Sequence, residues 1–174
     1  MSDTGDLEGN LTVTFTGLEG LRRRMEERNG DEAERKRYLE DQVKEYIPAA
    51  SEVELKNKPE WNSSAGPLVA EFTLKVPGWA SGAGRRALLP VGLFSATEKR
   101  LFDHAVRVHP IYFEYPFQKV DDITIELPAG WQTTSLPAAK NVDQKAVVYT
   151  SKGERQEPAA LDSDVSSRSS SCRS

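Results

Sequence analysis

The alternation of apolar and polar positions marks several stretches of this chain as strand. Leu11, Val13 and Phe15 alternate with Thr12, Thr14 and Thr16, a period-two pattern of β-forming residues ended by Gly17. Leu18, Leu21 and Met25 then recur at helical spacing among Arg22, Arg23, Arg24, Glu26 and Glu27, predicting a short amphipathic helix broken at Asn29-Gly30. Asp31 is placed to cap a second helix with Glu34 as its capping-box partner. The apolar stripe of that helix is Leu39, Val43, Tyr46 and Ile47, and Pro48 ends it. A stripe so narrow places the helix on the exterior of its domain.

Beyond residue 51 the period returns to two. Val53 and Leu55 predict a strand, followed by a polar loop from Lys56 to Gly66 that carries Trp61. Leu68, Ala70, Phe72, Leu74 and Val76 predict a longer strand, turned at Pro77-Gly78 into the flexible connection WASGAG. Ala87 to Leu89 predicts a further strand ending at Pro90, and the polar segment Ser95–Arg107 has no assignable period. The run HPIYFEYPFQKVDDITIELPAGW, His109 to Trp131, holds two more strands. Ile111, Phe113 and Tyr115 share one face of the first, bracketed by Pro110 and Pro116 as suits an edge; Ile123, Ile125 and Leu127 share one face of the second, before the Pro128-Ala129-Gly130 turn. Ala146 to Tyr149 predicts the last strand.

Strands at this spacing between Pro/Gly turns predict a mainly β fold: an antiparallel β-sandwich with a two-helix N-terminal appendage and a disordered C-terminal tail. The expected organisation is residues 1–9 disordered, 10–48 a strand plus two amphipathic helices, 49–152 the sandwich, and 153–174 a disordered serine-rich tail.

Composition narrows the classes. The 174 residues carry a net charge of −4 with 37% hydrophobic content, and mean hydropathy is −0.58 at a pI near 5.3. The acidic balance speaks against nucleic-acid binding. No stretch approaches the roughly 18 apolar residues of a membrane span. The polar N-terminus MSDTGDLEGN has no signal-peptide pattern, so the chain as written is expected in the cytoplasm.

Candidate chemistry is sparse. Cys172 with His104 or His109 has the residue types of a thiol hydrolase, but Cys172 lies near the end of the serine-rich tail, with nothing to position it. His104, His109 and Asp103 are metal-ligand types, yet a strand would put the two histidines on opposite faces. Asp121-Asp122 lacks the further oxygens a calcium cage needs and suits a turn before a strand. The glycines of WASGAGRR match no phosphate-binding loop, which leaves Arg85 and Arg86 as a solvated strand start. No catalytic residue, cofactor or metal is expected. The aromatics Tyr112, Phe113, Tyr115, Phe117, Trp79 and Trp131 are expected mostly in the core. Tyr112, Tyr115 and Trp131 form the candidate ligand or partner surface, in the alternative that the chain is a carbohydrate- or peptide-binding module.

The segments NLTVTFTGLEGLRRR, RKRYLEDQVKEYIP, SEVEL, GPLVAEFTLKVPGWASGAGRRALLP and HPIYFEYPFQKVDDITIELPAGW resemble the C-terminal, β-rich region of bacterial transglutaminase-like proteins of the acidobacterial and bacteroidetes type. The resemblance covers roughly residues 9–152. It implies a domain of unknown function lying after a transglutaminase-like fold that carries the Cys-His-Asp set, so no catalytic residue transfers to this chain. It also implies a periplasmic or secreted parent. The resulting expectation is a noncatalytic fragment that packs on a transglutaminase-like catalytic domain or meets a cell-surface protein. A natural truncation, a shifted reading frame and a stand-alone protein all remain open as its origin.

Overall fold

The computed structural model describes residues 1–63, 65–84, 86–90, 115–145, 147–155 and 172–173. The described residues form two helices and several short antiparallel strands, the strands in small open sheets, and the chain divides into two compact units, Met1–Thr97 and Glu98–Ser174.

The first unit is built on three strands in the order β1 (Leu7–Phe15), β3 (Leu68–Val76), β2 (Glu52–Leu55), all antiparallel. Register aligns the apolar positions of all three. Leu11 and Leu55 both lie opposite Phe72, and Gly9 and Val53 lie opposite Leu74. Side chains alternate across a strand, so one face collects Leu68, Ala70, Phe72, Leu74 and Val76, all buried, while Glu71 and Lys75 are exposed on the other. Burying such side chains stabilises by roughly 1.5–3 kcal/mol each for Val, Leu or Phe.

Two helices connect β1 to β2: α1 (Gly17–Glu26) and α2 (Glu32–Lys44). The capping box expected from sequence is present. Asp31 Oδ1 accepts from Glu34 N–H, and Glu34 Oε2 accepts from Asp31 N–H, both at 2.9 Å. Leu39 and Val43 of α2, with Ile47 beyond its end, are buried in the core, and the rest of the helix surface is largely solvated. Glu40 reaches β2, where its Oε1 accepts from Leu55 N–H at 2.9 Å.

Tyr38 links the two helices, donating its hydroxyl to Glu26 Oε2 at 2.6 Å. Burial, then the bond to Glu26, pushes the phenol from 10.0 up to about 12. A raised folded-state value favours the neutral phenol in the folded state. Its contribution is therefore fully present below pH 10 and is lost as pH rises toward about 12. Tyr38→Phe is expected to flatten this alkaline decline in stability, measured by urea midpoints across that range. An unchanged decline would show that the phenol is not its source.

The structure corrects the expected boundaries in three places. Strand β1 starts at Leu7, and residues 2–6 form an ordered turn instead of disorder. The turn lacks apolar anchors but satisfies its polar groups: Asp6 Oδ1 accepts from Gly78 N–H at 2.8 Å, and Ala80 N–H donates to Gly5 O at 2.9 Å. The bond from Gly78, with help from Thr4 and Ser2, holds the Asp6 carboxyl below its ordinary value. Next, β1 pairs with β3, so residues 10–48 and the start of the expected 49–152 domain lie in one unit. Finally, the connection after Trp79 forms a hairpin of β4 (Ser81–Ala83) and β5 (Arg86–Leu88) where sequence suggested a flexible linker.

In the second unit, β6 (Lys140–Asp143) pairs with β7 (Val148–Ser151), which pairs with β8 (Cys172–Arg173). Strand β7 begins two residues later than the predicted run from Ala146. The segment Ile123–Leu127 keeps its alternation, with Ile123, Ile125 and Leu127 half-buried and Thr124 and Glu126 exposed, but it joins no sheet among the described residues. The strand predicted at Ile111–Tyr115 lies outside the described residues apart from Tyr115, as do residues 156–171 of the tail.

Candidate functional site

Of the aromatic trio, the structure places Tyr115 and Trp131, both half-buried; Tyr112 lies outside the described residues. Trp131 ends the predicted turn, its N–H donating to Pro128 O at 3.1 Å. Gly130 has a φ of 84° there, the left-handed conformation that the third position of a type II turn demands. Trp79 belongs to the core of the first unit and is 9% exposed, which separates it from any open platform. Asp103, His104 and His109 lie outside the described residues; Cys172 is placed only as a strand residue opposite Tyr149. Among the described residues, no group of His, Cys, Asp and Glu is arranged to hold a metal ion, and no helix is long and apolar enough to cross a membrane.

The solvated face of the first sheet carries an open depression of about 630 Å³, edged by Glu8, Asn10, Glu54, Thr73 and Lys75. Three of its four lining charges, Glu8, Glu54 and Lys75, are engaged in ion pairs. Lys75 lies 3.8 Å from Glu8, while Lys56 pairs with Glu54 and holds that carboxyl below its ordinary value. A shallow face of exposed ion pairs offers a ligand little beyond hydrated charge.

A different surface emerges on α1. An amphipathic helix beside a sheet ordinarily turns its apolar stripe inward, but α1 docks through small and cationic side chains. Gly20 is buried against the end of β1, where an added Cβ would stand 2.8 Å from Phe15 O. Arg23 lays its guanidinium over the Phe15 ring, 4.3 Å from the centroid, and meets the Glu19 carboxylate at 3.5 Å. Arg24 donates to Glu60 O at 3.0 and 3.2 Å and to Gly66 O at 3.1 Å, tying α1 to the loop before β3. Arg35 supports the same loop from α2, lying 5.3 Å from the Trp61 centroid and donating to Glu27 O and Arg28 O.

With this side inward, the apolar stripe faces out. Leu18 is 57% exposed, Leu21 44% and Met25 64%. Sequence periodicity marks these residues as a stripe but cannot say which side of the helix packs. The deciding contacts, Gly20 against the Phe15 carbonyl and Arg23 over the Phe15 ring, depend on how the chain reverses at Thr16-Gly17. Gly20→Ala tests this docking. Overpacking against a backbone carbonyl costs about 1–3 kcal/mol, enough to outweigh alanine's helix advantage of about 1 kcal/mol. The expected result is a lower urea midpoint; a stabilised variant would mean that α1 does not sit against Phe15.

Comparison with known families bears on the rest of the chain. Residues 85–159 match the family model described as "Domain of Unknown Function with solved-structure structure (DUF3858)". The match covers less than half of the chain and contains Tyr112, Tyr115 and Trp131, whereas α1 and the first sheet precede it. No curated protein matches the chain. No solved structure matches it either.

Proposed function

We infer that the chain is a noncatalytic, β-rich accessory unit of a transglutaminase-like protein, and that it serves domain packing or protein interaction through α1. The observation that carries this is the outward stripe of Leu18, Leu21 and Met25. Scattered exposed apolar side chains are ordinary, but three on one helix face form the kind of surface an amphipathic helix offers a groove. Arg22 and Glu26 border the stripe and pair with each other at 3.3 Å, supplying a polar rim.

Two further observations support the wider reading. The match over residues 85–159 agrees with the expectation of a domain of unknown function in this part of the chain. A two-sheet sandwich is part of the proposal, supported by the alternation through Ile123–Leu127 and the antiparallel pairing of β6 with β7. The fitting partner is a transglutaminase-like catalytic domain encoded immediately upstream or in the same gene, in a periplasmic or secreted protein.

Isothermal titration of that catalytic domain into the full chain tests the assignment. The proposal expects saturable 1:1 binding, with heat-capacity change of the sign that apolar burial produces. Absence of binding, with both proteins folded, would overturn it.

A further inference from the structure

The two edges of the first sheet are treated differently, and this points to a self-association surface. Hydrogen bonding at the β2 side fixes the direction of every backbone group. Lys56 N–H donates to Glu71 O at 2.7 Å, Asn57 Oδ1 accepts from Glu71 N–H, and Asn57 Nδ2 donates to Val69 O. Odd-numbered residues of β3 therefore point toward β2. By the alternation of an antiparallel ladder, Leu68, Ala70, Phe72, Leu74 and Val76 exchange bonds with Phe15, Val13, Leu11, Gly9 and Leu7. Glu8, Asn10, Thr12 and Thr14 then direct their N–H and C=O groups to the far side of β1.

The β2 edge is guarded. That strand has only four residues, it is rich in charge, and Glu40 occupies the outward N–H of Leu55. Among the described residues, strand β1 has none of the usual guards. It runs nine residues in unbroken register with β3, without bulge, proline or lysine, and its one charged residue, Glu8, sits near its start. Among the described residues it pairs with β3 alone.

We propose that β1 pairs antiparallel with β1 of a second copy of this chain, about a two-fold axis through Leu11. In this register Glu8 faces the partner's Thr14 and Asn10 faces the partner's Thr12, so every outward backbone group of the four residues finds its counterpart. The apolar face matches as well. Leu11 meets Leu11, Gly9 leaves room for Val13, and Leu7 meets Phe15. The two Glu8 carboxylates lie at opposite ends of the ladder, and no like charges oppose each other. A second copy is thus self-complementary in hydrogen bonding, shape and charge. The pairing uses a surface other than the α1 stripe, and it stands whether or not α1 docks a catalytic domain.

Sedimentation velocity of the full chain over a concentration series tests this, with three variants. Wild type is expected to show a concentration-dependent dimer. Thr12→Pro removes one outward N–H while sparing the ladder to β3, so it is expected to be monomeric with an unchanged circular dichroism spectrum. Thr14→Glu sets a carboxylate against the partner's Glu8 at two symmetric places and should weaken the dimer several-fold; Thr14→Lys sets an ammonium there and should tighten it several-fold. Should Thr12→Pro fail to fold, the opposite shifts of the two Thr14 variants decide. A monomeric wild type, whether the edge is bare or covered by another strand, would overturn the proposal. So would a dimer indifferent to Thr12→Pro, or Thr14 variants that shift it in the same direction.

Discussion

Phe72→Ala is expected to unfold the first unit at ambient temperature or bring it close to unfolding. Phe72 is 2% exposed and stands at the centre of a row that crosses all three strands of its sheet, with Leu11 on one side and Leu55 on the other. Removing a buried phenyl ring forfeits its transfer free energy and leaves a cavity, for a loss of about 3–5 kcal/mol. A domain's whole stability is about 5–15 kcal/mol, so the loss consumes much of it. The sheet has little means of collapsing around the gap, because Phe72 is held by backbone ladders on both sides. Urea denaturation followed by circular dichroism measures the effect. A loss under about 1 kcal/mol would mean that the Leu11–Phe72–Leu55 row is not a core.

The second large effect concerns binding, with folding left intact. Replacing Leu18, Leu21 and Met25 together by lysine is expected to change stability little, since surface substitutions usually stay within about 0.5 kcal/mol each and lysine is a good helix former. The contacts that seat α1, from Gly20, Arg23 and Arg24, are untouched. Affinity for a partner that receives the stripe should fall by ~100-fold or more, because central apolar anchors carry most of an interface's energy and buried ammonium groups oppose it. If the triple variant instead loses several kcal/mol of stability, the stripe packs within the protein and is not a docking surface.

How much of this was legible in the sequence follows from where the determinants lie. Strand β3 and the Leu11–Phe15 part of β1 were readable because every second residue there is apolar along a half-buried surface, and that alternation is itself the physical cause of the one-sided burial. The second helix was readable to the residue at its start, since the Asp31–Glu34 capping box is a local bond pattern that needs no tertiary context. Strand β6 was not readable. Its residues Lys140, Asn141, Val142 and Asp143 are all exposed, so no core face writes a period into the sequence. The N-terminal turn was missed for a related reason. Its order comes from Asp6 and Gly5 bonding the distant turn at Gly78–Ala80, and such contacts leave no apolar trace.

The site was less legible than the fold. Aromatic clustering drew attention to Tyr112, Tyr115 and Trp131, because large rings dominate any sequence-level search for binding surfaces. The stripe on α1 has an ordinary amphipathic pattern, and the same pattern serves an inward-facing helix. What reverses it is the buried Gly20 between the stripe's residues: a helix position without a side chain allows the backbone of α1 to approach Phe15 from the polar side. A glycine inside a predicted helix, followed closely by three arginines, was the available signal.

The central claim is that this chain is an accessory unit whose α1 stripe docks a transglutaminase-like catalytic domain. The most direct test is a paired isothermal titration of that domain against the wild-type chain and the Leu18→Lys, Leu21→Lys, Met25→Lys variant. The account predicts saturable binding to wild type and a loss of ~100-fold or more in the variant at unchanged fold. Equal affinities for the two proteins, or no binding by the folded wild type, would contradict it.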